Sequence, residues 1–505
     1  MPPISSVHVL IFITIGSIVI AAIRHDLKKQ TLKGIPGPFI TRYTSVWLIY
    51  QARRGRRYQA VHDLHRRYGP IIHIAPNHIS IADKSALPII YGNGSSAFEK
   101  SPFYKQFVAD FPSLFSAMDK TIHARKRRIV SHAFSYPALR QFTPSIQSTL
   151  ETFVWKLDEL ACPGSKQFNL VMWLNYFTFD VLADLAFGEA MGMLLNGSAL
   201  IQTSTEEGSI KHENIIKLVE EREHLAAVLG ISSAFAQLAR FLPDPFLKSG
   251  RQSSSTLADF ARRQVLQRIN TGSSREDILD HILRAHTRYA TASTLTKDDV
   301  SEIVAETITL LSAGWDTISS SVAAIVHLVV SNTDVHVKLL QELDENVGIR
   351  NIPNHDEVKD LPYLRAVIDE SLRFHATMAS GLPRVVPPKG LEVFGFHIPP
   401  GTEVSVPAYT VQRDATIWGD PDTFRPERWF ELPDKGQDLT QYLLSFGKGA
   451  RACIGKQLAY IEMQLITATL FSNYDISLRS DGFQTIEGFV NKALALNVQL
   501  TLRQK

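Results

Sequence analysis

The stretch SFGKGARACIGKQLAY, Ser445 to Tyr460, decides the reading of this chain. Cys453 follows Gly447 and Gly449 and opens an apolar-striped helix, with Ile454, Leu458, Ile461 and Leu465 on one stripe. A thiol at a helix N-terminus feels the positive end of the dipole and nearby cations such as Arg451. Both lower its pKa and favour thiolate, the form that attacks electrophiles or binds metal. The flanking glycines let the backbone fold tightly around a bulky partner. An isolated cysteine is otherwise a small buried hydrophobe, which is the reading of Cys162 in the turn-like Cys162-Pro163-Gly164. The same stretch, Gly447 to Ala452, also fits the dinucleotide-binding pattern G-x-G-x-x-A, with Asp475 downstream. Against that, too little chain follows Asp475 to complete a doubly wound sheet, and no strand–helix alternation precedes the motif.

Working outward, ITLLSAGWDTISSSVAA breaks a long apolar helix at Ala313-Gly314 and then places Asp316 beside Thr317. Glycine costs about 1 kcal/mol in a helix interior, and an acid with a hydroxyl is a poor occupant of a core helix. Such a gap admits a small ligand, and the pair can order water and relay protons; the plainer alternative is bonding to the preceding turn. Glu370 and Arg373 stand three residues apart on one helix face within LPYLRAVIDESLRFHA, apolar enough to bury the pair. A buried pair wants a further donor, for which FRPERW, Phe424 to Trp429, supplies Arg428.

The rest of the body reads as mainly α with small β-sheets. Helical period runs from Asp298 to Val330, Leu361 to Phe374 and Ile454 to Phe471. Gly69 to Asp83 reads as two strands around Pro76-Asn77, and Leu391 to Tyr409 as two more. LPDPFLKSGRQSSST, from Leu242, reads as an exposed loop, and nothing divides the body in two. From Ile4 to Ile23 the chain carries no Lys, Arg, Asp or Glu, and twenty helical residues cover roughly 30 Å of hydrocarbon. Arg24, Lys28, Lys29 and Lys33 follow, which orients the body to the cytosol. Residues 1–33 thus read as a membrane anchor with a basic linker, closed by Gly34-Ile35-Pro36-Gly37-Pro38, and residues 34–505 as one large domain. With 53 Lys plus Arg against 50 Asp plus Glu, the chain lacks the basicity of a nucleic-acid binder. Two cysteines in 505 residues exclude a disulfide scaffold and multi-cysteine metal sites.

AGWDT, ESLR, FRPERW and FGKGARACIG, in this order between Ala313 and Gly455, together resemble the cytochrome P-450 family of haem-thiolate monooxygenases. The anchor and PGP hinge extend the likeness to microsomal members. Blocks such as RKRRIVSHAFS and GLPRVVPP are similar to fungal benzoate 4-monooxygenase-type members. The resemblance implies the cytochrome P-450 fold behind a single transmembrane helix in the endoplasmic reticulum. It also implies haem b, with NADPH electrons arriving through a separate flavoprotein reductase and cytochrome b5 as a further partner. By that likeness Cys453 is the iron ligand, with Phe446, Gly449 and Gly455 shaping its loop. Arg451, Arg384, His123 and Arg127 are the propionate partners, with His123 standing where many relatives carry Trp. Thr317 and Asp316 form the oxygen-activating pair, and Glu370, Arg373 and Arg428 are structural. The run Arg125 to Arg128 reads as a solvated basic face or a reductase dock.

The segments the resemblance turns toward substrate, Phe98 to Met118, the helix before Ala313, Thr377 to Leu382 and Gly488-Phe489, are largely apolar and aromatic. Gln106 to Met118 holds no Lys or Arg to meet a carboxylate. The reading is therefore hydroxylation of an apolar aromatic or polyketide-like metabolite in a fungal secondary pathway, with benzoate 4-hydroxylation as the alternative. A membrane-anchored haem binder without turnover is the reading from another class.

Overall fold

The computed structural model describes Leu32 and residues 34–92, 98–161, 167–204, 210–271, 276–289, 295–431, 438–479 and 482–504. The anchor segment Ile4 to Ile23 and Cys162 lie outside the described residues.

Helices dominate. The long ones are α1 (Lys120–Ser131), α2 (Tyr136–Leu160), α3 (Leu170–Phe187), α4 (Ile215–Gly230), α5 (Pro245–Thr271), α6 (Ile278–Tyr289), α7 (Lys297–Ala313), α8 (Asp316–Val330), α9 (Thr333–Asn346), α10 (Pro362–Phe374) and α11 (Lys456–Asn473). Helix α3, LVMWLNYFTFDVLADLAF, is apolar on every face and therefore buried on nearly every face, as are α8 and α11. One acid inside α3 survives burial because its carboxylate caps a neighbouring turn: Asp180 accepts the backbone N–H groups of Met193 and Leu194 at 3.0 and 2.9 Å. Helix α3 and the α7–α8 run are long and apolar enough to cross a bilayer, but both are mostly covered by the core.

The largest sheet holds β1 (Ile71–Ala75), β2 (His78–Ile81), β3 (Glu99–Lys100), β4 (Arg384–Val385) and β5 (Glu403–Ser405) in the order β1-β2-β5-β4-β3. Only the β2–β5 pairing is parallel in this sheet. Its register sets Lys100 directly opposite Arg384, a like-charged cross-strand pair that costs stability unless an anion joins it. The expected strands at Gly69 to Asp83 are present as β1 and β2. Leu391 to Tyr409 carries three short strands rather than two, a hairpin of Leu391–Val393 with Phe396–Ile398 followed by β5.

The expected loop at LPDPFLKSGRQSSST is instead the first half of α5. Asp244 starts the helix, accepting from the Leu247 N–H at 3.2 Å, and Pro245 occupies the first helical position, where its missing N–H costs nothing. Gly250 lets α4 approach closely, since a Cβ there would lie 2.7 Å from that of Leu225. Ser249 and Ser253 donate to the Glu221 carboxylate at 2.7 and 2.6 Å. Hydroxyls that read as loop chemistry are thus satisfied by the neighbouring helix.

Candidate active site

Cys453 lies in the loop between a short turn at Gly449–Arg451 and the start of α11 at Lys456. Two features shape this loop. The Cys453 N–H donates to the Phe446 carbonyl at 2.8 Å, and Gly447 and Gly449 take φ of +65° and +69°. A Cβ on Gly449 would lie 1.9 Å from the Tyr91 carbonyl oxygen, so only glycine fits. Gly455 has no such requirement from the protein itself, its nearest neighbours being ring and sulfur atoms at 3.8 and 3.9 Å. The Phe446 ring packs against Tyr460 at 5.2 Å.

Cys453 faces a cavity of about 300 Å³; in depth it is a buried group. Burial pushes its thiol up, against the opposing pull of the Gly455 backbone, Arg127 and Lys456. The expected lowering by the helix terminus is therefore corrected: in the protein alone, desolvation wins over dipole and cations.

One wall of the cavity is a ring of basic side chains. Lys100, His123, Arg127 and Arg451 all line it. Arg384 stands behind them, buried, with Nη1 lacking a hydrogen-bond partner. Burial, then the charges of Arg451, Lys100, Arg127 and Arg384, drives His123 down to about 3. Burial and Arg384 bring Arg451 down to about 10. The donors already made are to backbone carbonyls: Arg127 to Ala452 at 2.9 Å, Arg451 to Met118 at 2.6 Å and to Ala117, and Lys100 to Phe115. All four residues expected here by number, three arginines and a neutral His123, are brought together. Lys100 is the member that sequence reasoning missed, because only the β3–β4 register carries it to the site. The run Arg125 to Arg128 is not one solvated face: Lys126 turns inward to Glu302 and Glu306 at 2.5 and 3.0 Å, and Arg127 turns to the cavity.

Above the cysteine loop, α7 ends at Ala313 and α8 begins at Asp316, so the expected helix break is present. Thr317 lines the cavity and donates from Oγ1 to the Ala313 carbonyl at 2.9 Å, the bond to the preceding turn. Asp316 is buried, with no hydrogen-bond partner for Oδ1. Burial pushes its carboxyl up to about 7, with Lys492 opposing and Glu220 and Glu223 adding to the rise. The ordinary value is 3.8, so between about pH 4 and 7 the folded chain holds a proton that the unfolded chain releases. Stability contributed by this group therefore falls as pH rises through that window. An Asp316→Asn chain is expected to gain in melting temperature over the parent progressively from about pH 4 to pH 7 and to level off above it; a difference independent of pH would contradict the buried carboxyl.

Glu370 sits at the centre of a knot beneath the site. Arg373 donates to both its oxygens at 2.9 and 2.8 Å, Arg428 Nε to one at 2.9 Å, and the Arg425 N–H to the same one at 3.0 Å. Both Glu370 and Arg373 are 0% exposed. The expected third donor, Arg428, is in place. The Trp429 indole N–H is a further side-chain donor, at 3.1 Å, that the motif did not reveal.

Arginines and a lysine opposed across a strand register, one guanidinium nitrogen without a partner, and a cysteine at the edge of a large apolar cavity fit a flat dianionic macrocycle held through sulfur. That is the arrangement of a haem-thiolate oxidoreductase. The chain belongs to the cytochrome P-450 family, whose model matches residues 36–499, and the family places it among the monooxygenases. It is 35% identical over 494 residues to benzoate 4-monooxygenase bphA of Aspergillus niger, covering 95% of this chain and 94% of that one. It is 31% identical over 500 residues to the cytochrome P-450 monooxygenase gsfF of Penicillium aethiopicum, with coverage of 95% and 94%. The monooxygenase BOT4 of Botryotinia fuckeliana is 31% identical over 464 residues. The dinucleotide reading of Gly447 to Ala452 falls, since the segment follows a 3₁₀ turn rather than a strand.

Proposed function

We propose that this chain is an NADPH- and reductase-dependent monooxygenase acting on an apolar aromatic or polyketide-like metabolite of a fungal secondary pathway. In this reading it is held at the endoplasmic reticulum by residues 1–33, with residues 34–505 in the cytosol. The observation that carries the reading is the cation-walled cavity that Cys453 faces. In this proposal Cys453 ligates haem iron. Arg127, Arg384, Arg451 and His123, with Lys100, hold the propionates, replacing mutual repulsion by charge-assisted bonds. Bound haem supplies the activation of O2: substrate, O2, two electrons and two protons become hydroxylated product and water.

The protein's own part is positioning and proton handling. Phe446 and the Gly449 turn set the height of the sulfur. The break between α7 and α8 leaves room at the cavity wall, where Thr317 Oγ1, whose proton is directed to Ala313, offers its lone pairs to the cavity. Asp316, close to its midpoint at neutral pH, can take and return a proton in that corner. Thr317→Ala is expected to bind haem normally while diverting most NADPH electrons to hydrogen peroxide. Product formed per NADPH is the readout, and tight coupling in the variant would remove the relay role.

Benzoate 4-hydroxylation is the second reading, favoured by the bphA likeness. The decisive experiment for the class is the carbon monoxide difference spectrum of the reduced holoprotein, followed by NADPH consumption with a fungal reductase. A red-shifted thiolate-type Soret band with substrate-dependent NADPH use is expected. Absence of that band would overturn the proposal.

A further inference from the structure

Helix α4 lies outside the segments that the sequence points toward substrate, yet it sends two adjacent charged side chains into the cavity. Arg222 and Glu223 both line it, and both are largely buried. The Arg222 Nη2 donates to the Phe107 carbonyl at 3.0 Å and its Nη1 to the Glu223 carboxylate. Burial raises the Glu223 carboxyl, opposed chiefly by Arg222. From α7, Ser312 also lines the cavity. It is close enough to Glu223 to stabilise the carboxylate, but its buried oxygen completes no hydrogen bond among the described residues. Beside this corner the rings of Phe107, Phe115 and Phe489 meet edge to face, with centroids 4.8 to 5.4 Å apart.

From this corner we infer the substrate class: a neutral aromatic bearing a hydroxyl, a phenol or enol, anchored by Arg222, Glu223 and Ser312. The inference rests on the haem-thiolate reading above and deepens it. Three candidate groups are distinguished by charge and hydrogen-bond balance. A carboxylate substrate would set a second anion against a guanidinium that Glu223 already neutralises. A hydrocarbon would fill the aromatic cage but give the Glu223 carboxylate no further donor. A neutral hydroxyl donates to the Glu223 carboxylate, which Arg222 and Ser312 hold from the protein side. Lys100 lies over the Phe115 ring, 4.4 Å from its centroid, but already donates to the Phe115 carbonyl and shares the ring of basic side chains with Arg384 and Arg451.

The test is a Soret titration of the purified holoprotein with naphthalene, 2-naphthol and 2-naphthoate, three ligands of one shape. The expected result is a high-spin shift with 2-naphthol binding ~tenfold more tightly than naphthalene, and 2-naphthoate weakest. Ser312→Ala and Glu223→Gln are each expected to weaken 2-naphthol alone and leave the naphthalene Kd in place. Should Glu223→Gln not accumulate as folded protein, Ser312→Ala carries the same test. Tightest binding of 2-naphthoate overturns the inference, as do equal binding of naphthalene and 2-naphthol, equal weakening of both by the variants, or no shift from any of the three. A missing Soret band before titration instead overturns the haem-thiolate reading itself, so the two failures are distinct.

Discussion

Cys453→Ala is expected to abolish product formation, to the background of the assay, while the chain remains folded. The loop around Cys453 is shaped by backbone and neighbouring residues: the bond from its N–H to the Phe446 carbonyl, the positive φ of Gly447 and Gly449, and the packing of Phe446 on Tyr460. None of these needs the sulfur. Removing it takes away the one thiol that the described residues place on the cavity wall. Thermal melting and circular dichroism close to the parent, together with loss of the thiolate-type carbon monoxide band, would bear this out. Full turnover by the alanine chain would remove Cys453 from the iron.

Glu370→Ala is expected to fail in the opposite way, through folding. The carboxylate receives Arg373, Arg428, Trp429 and the Arg425 N–H inside a region with no water access. Deleting one member of a buried charge network leaves the others uncompensated, at about 3–5 kcal/mol. Total stabilities run to roughly 5–15 kcal/mol, so soluble yield at growth temperature should collapse. The remaining bonds of Arg373 to the Gln412 and Pro421 carbonyls, at 2.9 and 2.7 Å, hold its guanidinium in place and prevent its escape to solvent. Trp429→Phe keeps the ring and removes one donor, so it should cost only about 1.5–3 kcal/mol. Denaturant midpoints of the two variants against the parent give the ranking; an Ala variant as stable as the Phe variant would show that the knot is not buried as described.

Trp429 also illustrates what local reading catches and what it loses. ESLR and FRPERW sit far apart in the chain, yet each holds charged residues inside apolar surroundings, and Arg428 could be matched to Glu370 on chemistry alone. The indole N–H could not, because an aromatic at that position satisfies the same apolar pattern whether or not it donates. The α7–α8 break was legible for a similar reason: Gly314 and Asp316-Thr317 violate helix preference within a few residues. The start of α5 was illegible, because Gly250, Ser249 and Ser253 carry loop-like propensities that α4 overrides by close approach and by the Glu221 carboxylate. Propensity is a weak prior once a neighbouring helix satisfies the polar groups.

By itself the sequence determined the mainly helical class, the cysteine loop, the helix break and the charged members of the Glu370 knot, because each is encoded by residues within a short span or by a charge that apolar surroundings make conspicuous. Only the tertiary structure decided the rest of the site. Strand register set Lys100 against Arg384, helix phase turned Lys126 inward, and the approach of α4 delivered Arg222 and Glu223 to the cavity beside Ser312. The physical reason is that a buried charge takes its meaning from what lies within a few ångströms in space, and no spacing along the chain records that.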